Sequence, residues 1–413
     1  MRILHLNWTD VGGGAALGMY SLHSSLRNLG IDSRILVRDK QTQDEFVHGP
    51  TNLFQGLLNR FRSTVESMPV RLRSWGRAPE FQTNWLPDRW KTTIESLKPD
   101  IVHVHWAGNA TVSLGTLSDL KIPVIWTLRD LWPLTGGCFY PDSCHRFQQT
   151  CGACPLLNSN NEGDVSSWSL KQKRTFWDNP QMIPVALSQW GKQMFESSHV
   201  YGEQTVHCIP NGLDIEQFSP CPDPEYRQNL RNNWRLEPGK KVLLYGAVGG
   251  KVHPRKGFDL LAEALNFLAH PEDFQLLVFG GEKEQSQIHN VSIKSIGPIQ
   301  YGKELANLYR CADVCLVPSR YETFGKTAME SLACGIPVAC FDTSGPRDIV
   351  DHNVNGYRAT CFDVKDFARG IEFLAAHPEF NQLQKNARDK VIKAYDIRIV
   401  AQRYIELYTN CLA

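Results

Sequence analysis

The sequence predicts an α/β protein built from two doubly wound parallel sheets, and three observations carry that expectation. Short apolar runs alternate with longer amphipathic stretches instead of with hairpin turns, so successive strands pair in parallel through helical crossovers. The alternation starts twice, at residues 3–6 and again at 241–246, and both times a strand runs into a glycine-containing turn. A length of 413 residues suffices for two or three domains, each with a core of its own.

In the first half, Ile3-Leu4-His5-Leu6 leads into a Gly-rich turn and a helical pattern ending near Gly30, and Ser33-Arg34-Ile35-Leu36-Val37 is the next strand. Residues 100–105 and 122–127 continue the sheet. In the second half, strands are predicted at 241–246, 274–279, 314–317 and 337–341, beside helical segments at 259–268, 303–311 and 327–334. Ser219-Pro220-Cys221-Pro222-Asp223-Pro224 carries three prolines and suits neither a helix interior nor a central strand. The predicted division is therefore a first domain at 1–218, a linker at 219–235 and a second domain at 236–390. Residues 386–412 read as one long helical pattern, whose part from 391 onward either closes the second domain or crosses back to the first.

Composition excludes several classes. Lys+Arg 44 against Asp+Glu 43 leaves +1, which offers no global field for nucleic acid, so an anion must be held locally. Hydrophobic content of 42% with 21% charged residues is that of a globular chain, not a disordered one. The N-terminal MRILHLNWTD is too short in apolar residues for a signal segment and no run reaches the 18 or so of a spanning helix, so a cytoplasmic location is expected. The twelve cysteines are then expected as thiols or metal ligands.

Anion-binding devices recur at the predicted strand-to-helix turns. Gly12-Gly13-Gly14 opens the first helix, and without Cβ atoms the backbone at Gly13 and Gly14 can approach a phosphate; a merely tight turn is the alternative. His253-Pro254-Arg255-Lys256-Gly257 sets Arg255 and Lys256 before a helix starting near Phe258, where a solvated basic turn is the plainer reading. The richest string runs from Pro318 to Val338. A loop carries Glu322, a helix starts near Gly325, and Glu330 follows Glu322 by about two turns. Such a helix start can hold a pyrophosphate on the backbone N–H groups around Thr323, Phe324, Gly325 and Lys326, with Glu330 accepting from ribose hydroxyls and Glu322 reaching a sugar beyond.

These residues resemble a family. Glu322 and Glu330, followed by Ala333-Cys334-Gly335-Ile336-Pro337-Val338, look like the Glu-x7-Glu signature of the family 4 retaining glycosyltransferases, of the exopolysaccharide or colanic-acid type. Ile209-Pro210-Asn211-Gly212-Leu213-Asp214 is similar to the family's IPNGxD element, and Arg255-Lys256-Gly257 to its basic donor-phosphate motif. The resemblance implies a GT-B fold, two Rossmann-like domains with parallel sheets facing a central cleft, with the last helix crossing back. It implies transfer of a sugar, with retention, from a UDP- or GDP-sugar to a saccharide or lipid-linked acceptor, in polysaccharide or glycolipid assembly and without a catalytic divalent metal. Lys256 and Arg255 would neutralise the leaving diphosphate, Glu322 would position the donor sugar, and Glu330 and Asn211 would hold the donor. A nucleotide-sugar epimerase and a non-catalytic nucleotide-sugar-binding protein are the other readings.

The resemblance departs at two places. The stretch from Gly246 to Lys251 lacks an upstream Arg, for which Arg255 or Lys251 could substitute. Trp126-Thr127-Leu128-Arg129-Asp130 is similar to a family segment that often reads Thr-Leu-His-Asp, with Arg129 in the place of a catalytic His. Arg is no general base but binds a phosphate or carboxylate bidentately. His103 and His105, on one strand face, are candidates to supply an imidazole on the acceptor side, against hydrogen-bonded structural histidines.

Two further features stand apart. Cys138, Cys144, Cys151 and Cys154 crowd into residues 135–157 with spacing C-x5-C-x6-C-x2-C. A structural zinc held by four thiolates is the expectation, with His145 as a substitute ligand and two disulfides or free thiols as the alternatives. Phe54, Leu57, Leu58, Phe61, Val65 and Met68 repeat at helical spacing near Arg60, Arg62, Arg71, Arg73 and Arg77. An amphipathic helix of this kind suits peripheral contact with an anionic membrane, or else simply packs.

Overall fold

The computed structural model describes residues 1–50, 53–74, 81–246 and 253–413. Gly249, Gly250, Lys251 and Arg77, and the side chains of Arg60 and Arg73, lie outside the described residues. The chain divides into one unit of Met1–Gly212 with Arg398–Ala413 and a second of Leu213–Ile397.

In the first unit, seven parallel strands, β1 (Arg2–Thr9), β2 (Asp32–Asp39), β3 (Val47–His48), β4 (Ile101–Val104), β5 (Val124–Leu128), β6 (Met182–Ala186) and β7 (His207–Cys208), stand in the order β3-β2-β1-β4-β5-β6-β7. This 3-2-1-4-5-6 order reverses direction between β1 and β4, where doubly wound sheets take ligands. The period of two sorts the side chains. Leu4, Leu6, Val102, Val104, Val124 and Trp126 face one way, into a core with Phe176 and Trp177. Ile3, Ile101 and Ile125 face the other, against Leu22 and Leu26 of the helix Gly13–Asn28 and Val400, Tyr404 and Tyr408 of the final helix, Ile397–Leu412.

In the second unit, β8 (Lys241–Gly246), β9 (Phe274–Phe279), β10 (Lys283–Ile288), β11 (Val291–Ile296), β12 (Val314–Val317), β13 (Val338–Phe341) and β14 (Gly356–Ala359) stand in the order β10-β11-β9-β8-β12-β13-β14. Apart from β10, which is antiparallel to β11, the sheet repeats the first one's order, with its reversal between β8 and β12.

Three boundaries differ from expectation. The units meet at Gly212 and Leu213, so residues 219–235 are no linker but part of the second unit. Pro224 is tolerated because it sits in the first turn of the helix Pro224–Asn233, capped by the Asp223 side chain at Tyr226 N. Arg227 and Arg231 then bind that helix to the Asp313 carboxylate, at 3.0 and 2.7 Å. The predicted single helix over 386–412 is two, Phe380–Ala394 and Ile397–Leu412, because Leu213 intervenes: its N–H donates to Tyr395 O at 2.8 Å and its carbonyl accepts from Ile397 N at 3.0 Å. The hairpin β10–β11 was not expected at all; its first strand is largely exposed and polar, without an apolar alternation to betray it.

Candidate active site

The second unit's site forms where its sheet reverses. Beyond β12, Pro318 and Ser319 lead into the loop carrying Glu322, and the turn Pro254–Lys256 arrives beside it from the end of β8. The two loops are locked together by Arg320 N donating to Arg255 O at 2.8 Å and by Gly257, where a Cβ would meet Pro318 O at 2.0 Å in a left-handed conformation, φ 70°. Only glycine fits that approach.

This packing brings Lys256 and Arg255 onto one carboxylate. Lys256 Nζ donates to Glu322 Oε1, Arg255 Nη1 lies 3.4 Å from Oε2, and Ser319 Oγ donates to Oε1 at 3.2 Å. Burial by itself would raise the Glu322 pKa, but Lys256 and Arg255 pull it below the usual value, so the group is ionised at neutral pH. Tyr245, Gly246, Val317, Gly325 and Thr327 line a small cavity with Lys256 and Glu322, at the ends of β8 and β12.

The helix Lys326–Ala333 begins at this cavity. Gly325 at its N-cap has φ 104° and no side chain to cap the first turn, whose backbone donors thus suit an anion. Glu330, 4% exposed, accepts from Tyr309 OH at 3.0 Å and from Tyr301, with Lys326 Nζ 3.6 Å away. Here burial outweighs these partners and raises the carboxyl's pKa. Thr323 and Phe324 are buried, Phe324 edge-on to Tyr395, so at Phe324 it is the backbone that can face a ligand.

In the first unit, Gly12 and Gly13 adopt left-handed φ of 76° and 68°, and nothing stands within 4 Å of where a Cβ of Gly12, Gly13 or Gly14 would be. Arg129 follows β5 with Nη1 donating to Asn211 Oδ1 at 2.8 Å and Nη2 2.8 Å from His105 Nδ1. Burial lowers its pKa to about 10, so it keeps its charge. Gly18, one helix turn beyond the glycine turn, makes room for it: a Cβ there would meet Arg129 Nη1 at 2.4 Å and Asn211 Oδ1 at 2.9 Å.

Alternation along β1 and β4 puts His5, His103 and His105 on the face shared with Thr127, and all are wholly buried. His103 binds Tyr408 OH and Thr127 Oγ1, each at 2.7 Å. His105 Nε2 meets His5 Nδ1 at 2.9 Å, and His5 Nε2 meets Ser33 Oγ at 3.1 Å, which in turn meets His23 Nδ1 at 2.8 Å. Because arginine only donates, His105 accepts at Nδ1 and carries its proton on Nε2; the same rule passes along to His5 and Ser33. These are hydrogen-bonded interior imidazoles, not solvent-facing ones. Their candidate ligand atoms lie within 4.8 Å of one another, but each of the six ring nitrogens already has a partner, and the Arg129 cation stands beside them.

Sequence reasoning missed His5, Gly18, Tyr301 and Tyr309. His5 and His103 are in register across β1 and β4, a signal that becomes visible once the pairing is known. Nothing local in Tyr301 or Tyr309 points at Glu330.

The four cysteines line one small cavity together with Phe81 and Phe147, while His145 is exposed outside it. On the helix Leu53–Ser74, Phe54, Leu57, Leu58, Phe61 and Met68 are exposed, Phe54 at 69%. The packed face instead carries Glu66, which accepts from Thr83 N and Asn84 N, and Val70, while Arg62 turns inward to Ala110 O, Leu86 O and Pro87 O. Among the described residues no helix is long and apolar enough to cross a membrane.

Two family models match. One described as Glycosyltransferase Family 4 covers residues 12–217, and one described as Glycosyl transferases group 1 covers 227–390. A D-inositol 3-phosphate glycosyltransferase of Xylanimonas cellulosilytica is 34% identical over 37% of this chain and 38% of its own length. A GDP-mannose-dependent alpha-mannosyltransferase of Mycobacterium tuberculosis is 31% identical over 44% of this chain and 45% of its own. The chain thus spans about half the length or less of these curated relatives. Among solved structures, Anabaena HepE in complex with UDP-glucose superimposes with a TM-score of 0.70 at 17% identity, over 99% of this chain and 100% of that one. The two sheets are those of the GT-B glycosyltransferase fold.

Proposed function

Since the chain belongs to the family 4, group 1 glycosyltransferases, we propose that it transfers a sugar, with retention at the anomeric carbon, from a nucleoside-diphosphate sugar to a saccharide or lipid-linked acceptor. The observation that carries this reading is the convergence of Lys256, Arg255 and Glu322 beside the uncapped start of the helix Lys326–Ala333. A diphosphate seated on that helix start shares the two cations, which offset the charge gathered as the anomeric C–O bond breaks and the nucleoside diphosphate leaves with the bonding pair. Glu322 orients the donor sugar and is kept ionised for it; Glu330 accepts from the ribose hydroxyls, its position set by Tyr301 and Tyr309. No step calls for a divalent ion. Relatives that depend on GDP-mannose or are solved with UDP-glucose support a nucleotide-sugar donor without fixing its base.

Arg129, held by His105 and Asn211, suits a phosphate or an acidic sugar, which is the reading of its departure from the family's His. The exposed stripe Phe54, Leu57, Leu58, Phe61 and Met68 is the surface that would meet an anionic bilayer or a lipid-linked acceptor at the inner face of a membrane, in polysaccharide or glycolipid assembly. Co-sedimentation with anionic liposomes tests it, and a chain left in the supernatant removes the membrane contact.

The deciding experiment is calorimetric binding of UDP-, GDP- and ADP-sugars, with released nucleotide followed in parallel and a panel of acceptors added. Acceptor-dependent release with a retained anomeric configuration in the product supports the proposal. Isomerised donor without acceptor points to an epimerase, binding without turnover to a non-catalytic protein, and no binding to any donor overturns the assignment.

A further inference from the structure

The loop between Arg129 and the helix Val165–Trp177 carries four of the chain's twelve cysteines. From its four cysteines, the frame around them and a buried cation, we infer that Cys138, Cys144, Cys151 and Cys154 bind one zinc ion that clamps this loop. The inference goes beyond the proposed transfer and is independent of it.

Geometry supports it at three levels. First, the four side chains line a single cavity although 15 residues of chain lie between the first and the last, and each sulfur lies in electrostatic reach of at least two others. No three sulfurs fall within 4.8 Å of one another, whereas a tetrahedron of Zn–S bonds of about 2.3 Å needs about 3.8 Å, so binding draws the side chains inward. Second, the frame around the cysteines is fixed: the Thr135 hydroxyl donates to Cys138 O at 2.6 Å and the Leu157 N–H to Cys154 O at 3.1 Å. Such bonds fix the backbone that presents the ligands. The C-x2-C turn that presents Cys151 and Cys154 holds three successive left-handed residues, Cys151 at φ 52°, Gly152 at 85° and Ala153 at 40°. Gly152 is obligatory there, since a Cβ would meet Glu162 O at 2.0 Å, and Asp164 Oδ2 pins the turn through Cys154 N at 2.9 Å. Conformations of this kind persist when something over-determines them.

Third, a buried amine stands beside two of the cysteines. Lys173 is 1% exposed and donates to Trp132 O at 2.7 Å and Thr135 O at 2.8 Å, with its ammonium over the Trp132 ring. Burial lowers its pKa to about 7, against the pull of Cys138, Cys151 and, more weakly, the carboxylates of Asp130 and Glu66. Zinc with four thiolates carries a net charge of −2, opposite in sign and beside it. Full ligation leaves no open position, so the ion is structural.

The test uses the full chain purified under reducing conditions without added metal. Elemental analysis is expected to find about one zinc per chain, released in step with mercurial modification of four thiols. Cys154→Ser and Cys138→Ser lose the metal, and Lys173→Met keeps the fold but gives zinc up to a competing chelator at roughly 10-fold lower concentration. Twelve titratable thiols with no metal overturn the inference, as do eight thiols with two disulfides, both readable on the wild type even if the variants misfold. Zinc that survives both Cys154→Ser and Cys138→Ser also overturns it.

Discussion

The substitution Gly18→Ala should be destabilising in this chain and stabilising once Arg129 is removed. Gly18 lies inside the helix Gly13–Asn28, where exchanging glycine for alanine ordinarily gains about 1 kcal/mol. Here the new Cβ meets Arg129 Nη1 at 2.4 Å and Asn211 Oδ1 at 2.9 Å. Both obstructing atoms end mobile side chains, so the guanidinium swings aside and the helix survives. What is lost is the bond that Nη1 of this charged group makes to Asn211, worth about 1.5–3 kcal/mol. Set against the helix gain, Gly18→Ala should cost about 0.5–2 kcal/mol in the wild type. In an Arg129→Ala background the guanidinium and its bond are gone and only the Asn211 amide, freed of its partner, has to turn aside, so the same change should gain about 1 kcal/mol, a coupling of about 1.5–3 kcal/mol. Urea unfolding of the four proteins measures it. Equal stabilisation by Gly18→Ala in both backgrounds would refute the claim that this glycine exists to seat Arg129.

The remaining predictions concern the donor site and the buried imidazoles. Lys256→Met should lower kcat by about 100- to 1,000-fold, as loss of a group that offsets transition-state charge does, with KM changing far less; an equal loss in KM alone would mean mere ground-state binding. Glu330→Ala removes the acceptor from Tyr301 and Tyr309 and should weaken donor binding by about 10- to 100-fold in calorimetry; unchanged affinity would take Glu330 out of the donor site. Burial lowers the pKa of His5, His103 and His105 well below 6.5 and that of His23 to about 4, so the unfolded chain takes up protons that the folded one refuses. Their contribution is complete above about pH 6.5 and is lost as pH falls, at up to about 1.4 kcal/mol per pH unit for each imidazole. Urea midpoints between pH 7.5 and 5 should fall steeply, and a flat profile would show that these histidines are charged or solvated in the fold.

Much of the proposed donor site was legible because its residues are close in sequence. Glu322, Gly325, Lys326 and Glu330 occupy one strand-loop-helix segment, so local rules of helix starts and turn glycines reach them. The pairing of Lys256 with Glu322 bridges 66 residues and became visible only when the ends of β8 and β12 were adjacent. Tyr301 and Tyr309 escaped notice for the same reason: a phenol finds its carboxylate by packing, not by spacing.

By itself the sequence determined the α/β class, the twofold restart of the pattern, the glycine-bearing strand-to-helix turns and the crowding of four cysteines, all of which follow from periodicity, backbone demands of glycine and proline, and local density of one residue type. Tertiary structure decided the rest. It took the chain out of the first unit at Leu213 and returned it at Arg398, made a capped helix of the proline-rich stretch, turned the apolar stripe of the helix Leu53–Ser74 outward, and closed His103 and His105 into a buried network. Each of these turns on which surfaces meet across long stretches of chain, and the free energy of burial depends on that partner, which the local pattern of a segment does not specify.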